Sequence, residues 1–217
     1  MKYSTIIFDL DGTLLNTIDD LADAVNHTMK TFGWPVWTRD DVMSFVGNGL
    51  RRLMELSVPE GENNPFFEEA VAEQRRFYQL NCNNKTAPYE GVLPLMEKLK
   101  NEGYKLAIVS NKADEAVKEL DRIYFAGLTD VAVGESAQVR KKPHPDTVLR
   151  VMELLGSRKE ECLYVGDSEV DVMTARNAEI DCAAVEWGFR THKQLREAGA
   201  EVMAENTEEL YEYIRKE

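Results

Sequence analysis

Tyr3-Ser4-Thr5-Ile6-Ile7-Phe8-Asp9-Leu10-Asp11-Gly12-Thr13 decides how this chain is read. The β-branched and aromatic run at residues 3–8 is short and is closed by Asp9-Leu10-Asp11-Gly12, which predicts a buried strand rather than a helix. The acids therefore fall where the strand ends. Two carboxylates this close repel each other unless a cation sits between or beside them, an arrangement that a purely structural core avoids. Taken alone, the pair also reads as an Asx-turn, and Asp-Gly is a common turn dipeptide.

Further short apolar runs at residues 105–109, 130–133, 162–165 and 182–185 each lie near a polar or Gly-containing turn. Helical stripes separate them. Val92, Leu95, Met96 and Leu99 recur at helical spacing, as do Val148, Leu149, Met152 and Leu155 after Pro145, a good first-turn residue. This alternation predicts an α/β fold, a Rossmann-like parallel sheet with helices on both faces. Ligands bind such sheets in a crevice at the carboxyl ends of the strands. Asp9, Ser110 and Asp167 each fall just past a predicted strand, so three distant segments are expected to converge there.

Residues 16–83 break the alternation. Ile18, Leu21, Val25, Met29 and Phe32 have helical spacing, and no strand pattern occurs, so an all-helical cap domain is expected at 16–83, inserted into an α/β core of 1–15 and 84–217. Trp34, Trp37 and Phe45 are expected in its core. Connections near 15–17 and 85–89 would be the hinges.

Among the 217 residues, 26 Lys and Arg face 39 Asp and Glu, a net charge of −13 that repels nucleic-acid backbones and anionic lipid. An anionic substrate then needs local positive help from a metal ion, a few placed basic side chains and backbone N–H groups. No apolar run approaches a membrane span, and the first residues lack a signal-peptide pattern. The cysteines, Cys82, Cys162 and Cys182, form no CxxC pair and suit a reducing compartment. A cytoplasmic location is expected.

Gly166-Asp167-Ser168-x-x-Asp171 adds a second acidic site after a predicted strand. Its oxygens suit a hard cation such as Mg²⁺, which takes one or two carboxylates, several waters and phosphate oxygens. Ser168-x-x-Asp171 also reads as a capping box opening a helix. Ser110-Asn111 offers a hydroxyl and backbone N–H groups at a strand-to-helix turn, suited to holding phosphate, although both residue types also cap helices. Lys142, in Arg140-Lys141-Lys142-Pro143-His144-Pro145, sits in a stiff stretch that aims an ammonium at the crevice.

The pieces DLDGT, SN, KKPHP and GDSEVD, in this order and spacing, resemble the haloacid dehalogenase superfamily of phosphatases across essentially the whole core. The helical insert resembles that family's first-type cap. Val46-Gly47-Asn48-Gly49 and Pro88-Tyr89-Glu90-Gly91-Val92 resemble its phosphoglycolate phosphatase branch. The resemblance implies that Asp9 is a nucleophile forming an aspartyl phosphate, and that Asp11 protonates the leaving alcohol and then activates water. It further implies that Asp9, the Asp11 carbonyl and Asp167 bind Mg²⁺, that Ser110, Asn111 and Lys142 hold phosphate, and that Asp171 orients the metal's water shell or Lys142. The expected partner is a small phosphorylated metabolite.

Asp11 argues against carbon-halogen hydrolysis, which needs no proton on a leaving alcohol. Sugar-phosphate mutases of the same superfamily carry a His where Leu21 stands, and they remain the alternative enzyme; a catalytically silent binding protein is the alternative from another class. In the cap, Gly47-Asn48-Gly49 is expected to open a short helix carrying Arg51 and Arg52, with Arg51 as a candidate clamp for a substrate carboxylate, as on phosphoglycolate.

Overall fold

The run that opens the sequence forms β1 (Thr5–Phe8), buried at every position. In the computed structural model, which describes residues 2–137 and 139–216, the chain continues through β2 (Leu15–Asn16), α1 (Ile18–Thr31), α2 (Arg39–Phe45), α3 (Gly49–Ser57), α4 (Phe67–Asn81) and β3 (Ala87–Pro88). It then alternates: α5 (Val92–Asn101), β4 (Lys105–Ala113), α6 (Asp114–Tyr124), β5 (Val131–Glu135), α7 (Asp146–Leu155), β6 (Cys162–Gly166), α8 (Glu169–Ala178), β7 (Asp181–Val185), α9 (His192–Glu197), β8 (Met203–Ala204) and α10 (Thr207–Ile214).

Six strands form one parallel sheet in the order β5-β4-β1-β6-β7-β8. β1 lies where the strand order reverses, the switch point at which such sheets open a crevice. Its side chains alternate between two buried layers. Ile6 and Phe8 pack with α5, α6 and α10 through Val92, Met96, Leu120 and Leu210, whereas Ile7 packs with Val148, Val151 and Ala175 of α7 and α8. Burial on both faces explains why the strands read as continuous apolar runs. On α7 the buried stripe is Val148, Val151 and Met152; Leu149, assigned to that stripe by spacing, is exposed. β8 has two residues, too short for any periodic signal.

The chain divides into two compact units, Met1–Leu15 with Pro88–Glu217, and Asn16–Ala87. The second is helical and ends four residues later than residue 83. The cause is Asp20, buried on α1, whose carboxylate accepts the N–H groups of Asn84 (3.1 Å), Lys85 (3.0 Å) and Thr86 (2.9 Å) and the Thr86 hydroxyl (2.8 Å). Asp20→Ala strips that segment of its acceptor and is expected to lower stability by about 2–3 kcal/mol. A urea midpoint equal to wild type would show that water replaces the carboxylate at no cost.

Trp34, Trp37 and Phe45 are only partly buried, a correction to their placement in the core of the helical unit. Trp37 stands edge-on to Phe45 at 5.3 Å and donates its ring N–H to the Ser57 carbonyl at 2.9 Å, an arrangement that keeps one edge wet. Among the described residues no helix is long and apolar enough to cross a membrane.

Candidate active site

Sheet register brings the predicted residues to one level. Phe8 pairs with Ile108 on one side and Val165 on the other, so Asp9, Ser110 and Asp167 all lie one or two residues beyond paired positions. The Asp9 N–H still bonds the Val165 carbonyl at 2.8 Å, which fixes the nucleophile candidate at the last rung of the sheet. The chain then turns sharply. Gly12 has φ of 90°, a left-handed conformation that favours glycine, and a Cβ there would run into the Asp167 carboxylate.

Asp167 is held from two sides: Thr13 Oγ1 donates to Oδ1 at 3.0 Å and the Phe189 N–H donates to Oδ2 at 2.7 Å. Gly188 approaches it as closely as Gly12 does, and a side chain there would displace the carboxylate. Asp171 is engaged through both carboxyl oxygens. Oδ2 accepts the Ser168 hydroxyl (2.6 Å) and N–H (3.1 Å), completing the capping box that opens α8. Oδ1 faces the site, accepting from Lys142 Nζ at 2.7 Å and Tyr164 Oη at 2.9 Å.

Lys142 is fully enclosed, and its ammonium donates to Asp9 Oδ1 (2.6 Å), Asp171 Oδ1 (2.7 Å) and Tyr164 Oη (3.0 Å). Its backbone is pinned by Asn111, whose Oδ1 accepts the Lys142 N–H at 2.7 Å and whose Nδ2 donates to the Lys142 carbonyl at 3.0 Å. The Asn111 side chain thus aims the lysine. Ser110 is buried beside it, its hydroxyl oxygen accepting the Lys112 N–H at 3.1 Å.

One ammonium cannot neutralise this many acids. Burial would lower Lys142, but Asp171 and Asp9 raise it above the ordinary lysine range. Burial also works against an ionised Asp171, yet Lys142 outweighs it and holds that carboxyl below its ordinary value. Asp9 is left on the losing side: burial, then the charge of Asp171, push it well above the carboxylate range despite Lys142. Asp167 is pushed up to about 7, first by burial and then by Asp171. Carboxyl oxygens of Asp9, Asp167 and Asp171 lie within 4.8 Å of one another. A set of hard oxygen donors with uncompensated negative charge fits a small divalent cation. With Asp171 spent on Lys142 and its cap, Asp9 and Asp167 are the carboxylates left to face one.

Several site residues carry no motif. Tyr164 had one signal, a phenol inside an aliphatic strand, which must find a polar partner. Trp187, whose ring N–H donates to the Thr13 carbonyl at 2.9 Å, and Phe189, acting through its backbone, had none. Lys112 follows Ser110 by two, the strand period, and its Nζ lies 2.9 Å from Asp11 Oδ1. Arg51 lies on α3 of the helical unit, gripped by Glu62 (2.8 Å) and by both oxygens of Glu68 (2.8 and 3.2 Å).

A fold with its acids at the switch point and an enclosed lysine across from them is that of the haloacid dehalogenase-like hydrolases; the model of that family matches residues 6–185, and the chain belongs to it. A phosphoglycolate phosphatase of Aquifex aeolicus is 37% identical over 185 residues, covering 85% of each chain. The pyrophosphatase PpaX of Bacillus cereus is 31% identical, covering 97% of this chain and 95% of its own. A crystal structure of a phosphoglycolate phosphatase candidate from Lactobacillus delbrueckii subsp. bulgaricus superimposes over 100% of both chains with a TM-score of 0.95 at 36% identity.

Proposed function

We propose that the protein is a Mg²⁺-dependent phosphatase that hydrolyses small phosphate monoesters through a phosphoryl group carried on Asp9, with 2-phosphoglycolate as the leading substrate. The observation that supports this most directly is the buried Asp9 carboxylate, 2.6 Å from an enclosed ammonium and grouped with Asp167. Asp9, the Asp11 carbonyl and Asp167 are the metal-binding set. Bound there, the metal neutralises charge between an attacking carboxylate and phosphoryl oxygens.

The remaining work falls to side chains. An Asp9 oxygen attacks phosphorus as the ester oxygen departs, and Asp11 gives that oxygen a proton. Asp11, now a carboxylate, takes a proton from water as the water attacks phosphorus, releasing inorganic phosphate and restoring Asp9. Ser110 and Lys142 hold the phosphoryl oxygens, and Asp171 and Asn111 hold Lys142. The mutase alternative lacks its histidine, because Leu21 is a buried apolar residue of α1.

Phosphate release from 2-phosphoglycolate, p-nitrophenyl phosphate and pyrophosphate tests the reading. Turnover is expected with Mg²⁺, to be lost on chelation, and to be inhibited by Ca²⁺, whose looser coordination misplaces the carboxylate. Full activity with Ca²⁺ alone, or in excess chelator, contradicts it. Asp11→Ala is expected to slow alkyl esters by about 10²–10⁴-fold. The loss is smaller for p-nitrophenyl phosphate, whose leaving group needs no proton; equal losses would remove Asp11 as the acid.

A further inference from the structure

We infer that Lys112 is a specificity residue that selects substrates whose leaving group carries its own negative charge. The inference rests on the phosphatase reading and deepens it. Lys112 Nζ lies 2.9 Å from Asp11 Oδ1, and the two side chains are only 7% and 14% exposed. It reaches that place because β4 departs from regular pairing after Val109, where Ser110, Asn111 and Lys112 follow in turn. The Lys112 N–H bonds the Ser110 hydroxyl at 3.1 Å, so the phosphate-binding residue and the lysine share one short rigid segment.

Asp11 is the residue that meets the departing oxygen. Any group 2.9 Å from its carboxylate therefore lies at the leaving-group end of the ester, with its charge about 6 Å or less from that oxygen. When Asp11 holds the proton that it delivers to the ester oxygen, its carboxyl no longer offsets the neighbouring ammonium, in a place with little water. Reducing the negative charge beside an enclosed ammonium is costly. A leaving group with an anion of its own supplies a replacement, whereas a neutral alcohol does not. In phosphoglycolate the carboxylate stands two bonds beyond the ester oxygen, within reach of Nζ; in pyrophosphate the leaving group is itself an anion. Arg51, the cation that spacing favours for this task, is already held by Glu62 and Glu68.

The test compares 2-phosphoglycolate with 2-hydroxyethyl phosphate, an ester of nearly equal size whose leaving alcohol carries no charge, in Mg²⁺-supplied enzyme. The quantity read is the ratio of the two kcat/KM values in one preparation, which is independent of how much of a variant is folded. Wild type is expected to favour phosphoglycolate by about 10–100-fold, the scale of one charge-assisted contact. Lys112→Met is expected to bring the ratio close to one, and Lys112→Arg, which keeps the charge, to retain most of the preference. An unchanged ratio in Lys112→Met, or no preference in wild type, overturns the inference and leaves the phosphatase reading standing. Failure of wild type to release phosphate from either ester and from p-nitrophenyl phosphate overturns both.

Discussion

Asp9→Asn is expected to lower turnover by more than about 10⁴-fold while making the chelated protein more stable than wild type at neutral pH. On the proposed mechanism the loss follows from removing the attacking oxygen's charge, since an amide is no nucleophile toward phosphorus. The gain in stability follows from the position of Asp9 among Asp167, Asp171 and a single ammonium. Its folded pKa is raised above the ordinary 3.8, by burial and then by Asp171. A carboxyl raised in this way contributes stability in full below its unfolded value and loses it as pH climbs through the folded value. This contribution therefore fades from about pH 4 upward, and that of Asp167, raised to about 7, fades in the same sense.

The asparagine variant keeps an oxygen for Lys142 but has no proton to lose, so its melting temperature should fall less between pH 4 and 8. Melting curves in chelator across that range check this. A variant that is inactive and also less stable than wild type at pH 8 would mean that the Asp9–Lys142 attraction, not the crowding of acids, dominates the metal-free site.

That crowding was partly legible in the sequence. The run before Asp9 and the apolar run before Asp167 announced strands, and strand ends in an alternating α/β pattern must share one edge of the sheet. Strand order was not written there, yet it is what sets Asp9 between β4 and β6. At Asp171 the capping box was legible in the sequence, whereas the contact of its other carboxyl oxygen with Lys142 depends on a distant residue.

What escaped depends on distant partners. The role of Asn111 is set by residue 142, and that of Asp20 by residues 84–86; no local period encodes either. The tryptophans of the helical unit misled because composition favours burial of such rings, while a ring N–H that must reach a carbonyl keeps Trp37 near the surface. A helix start beside arginines suggests an anion site, and acids eleven and seventeen residues on grip the Arg51 guanidinium.

Replacing Lys142 has the largest expected effect on stability. Its ammonium is the group that lets Asp9 and Asp171 share the interior, with all three of its acceptors within 3.0 Å. Lys142→Met keeps the aliphatic stem and removes the charge, leaving buried carboxylates to face one another, which is expected to cost about 3–5 kcal/mol at neutral pH.

The sign of the pH dependence separates this from a packing defect. In wild type Asp171 is held below its ordinary value, so its contribution is present above about pH 4 and fades as pH falls through the lowered value. Without the ammonium, Asp171 loses the largest influence that held it down, and only the hydrogen bonds from Ser168 and Tyr164 are left to oppose burial. Its contribution then fades as pH rises. The gap between wild type and variant should therefore widen from pH 4 to pH 8, and urea unfolding in chelator at several pH values measures it; a gap independent of pH would point to lost packing alone. Mg²⁺ should restore more stability to the variant than to wild type, because the metal becomes the main positive charge facing Asp9 and Asp167. The kcat/KM of the metal-loaded variant should remain about 10²–10³-fold below wild type, since the phosphoryl oxygens have lost a preorganised donor. Recovery of both stability and turnover on adding Mg²⁺ would mean that Lys142 serves the empty site rather than the reaction.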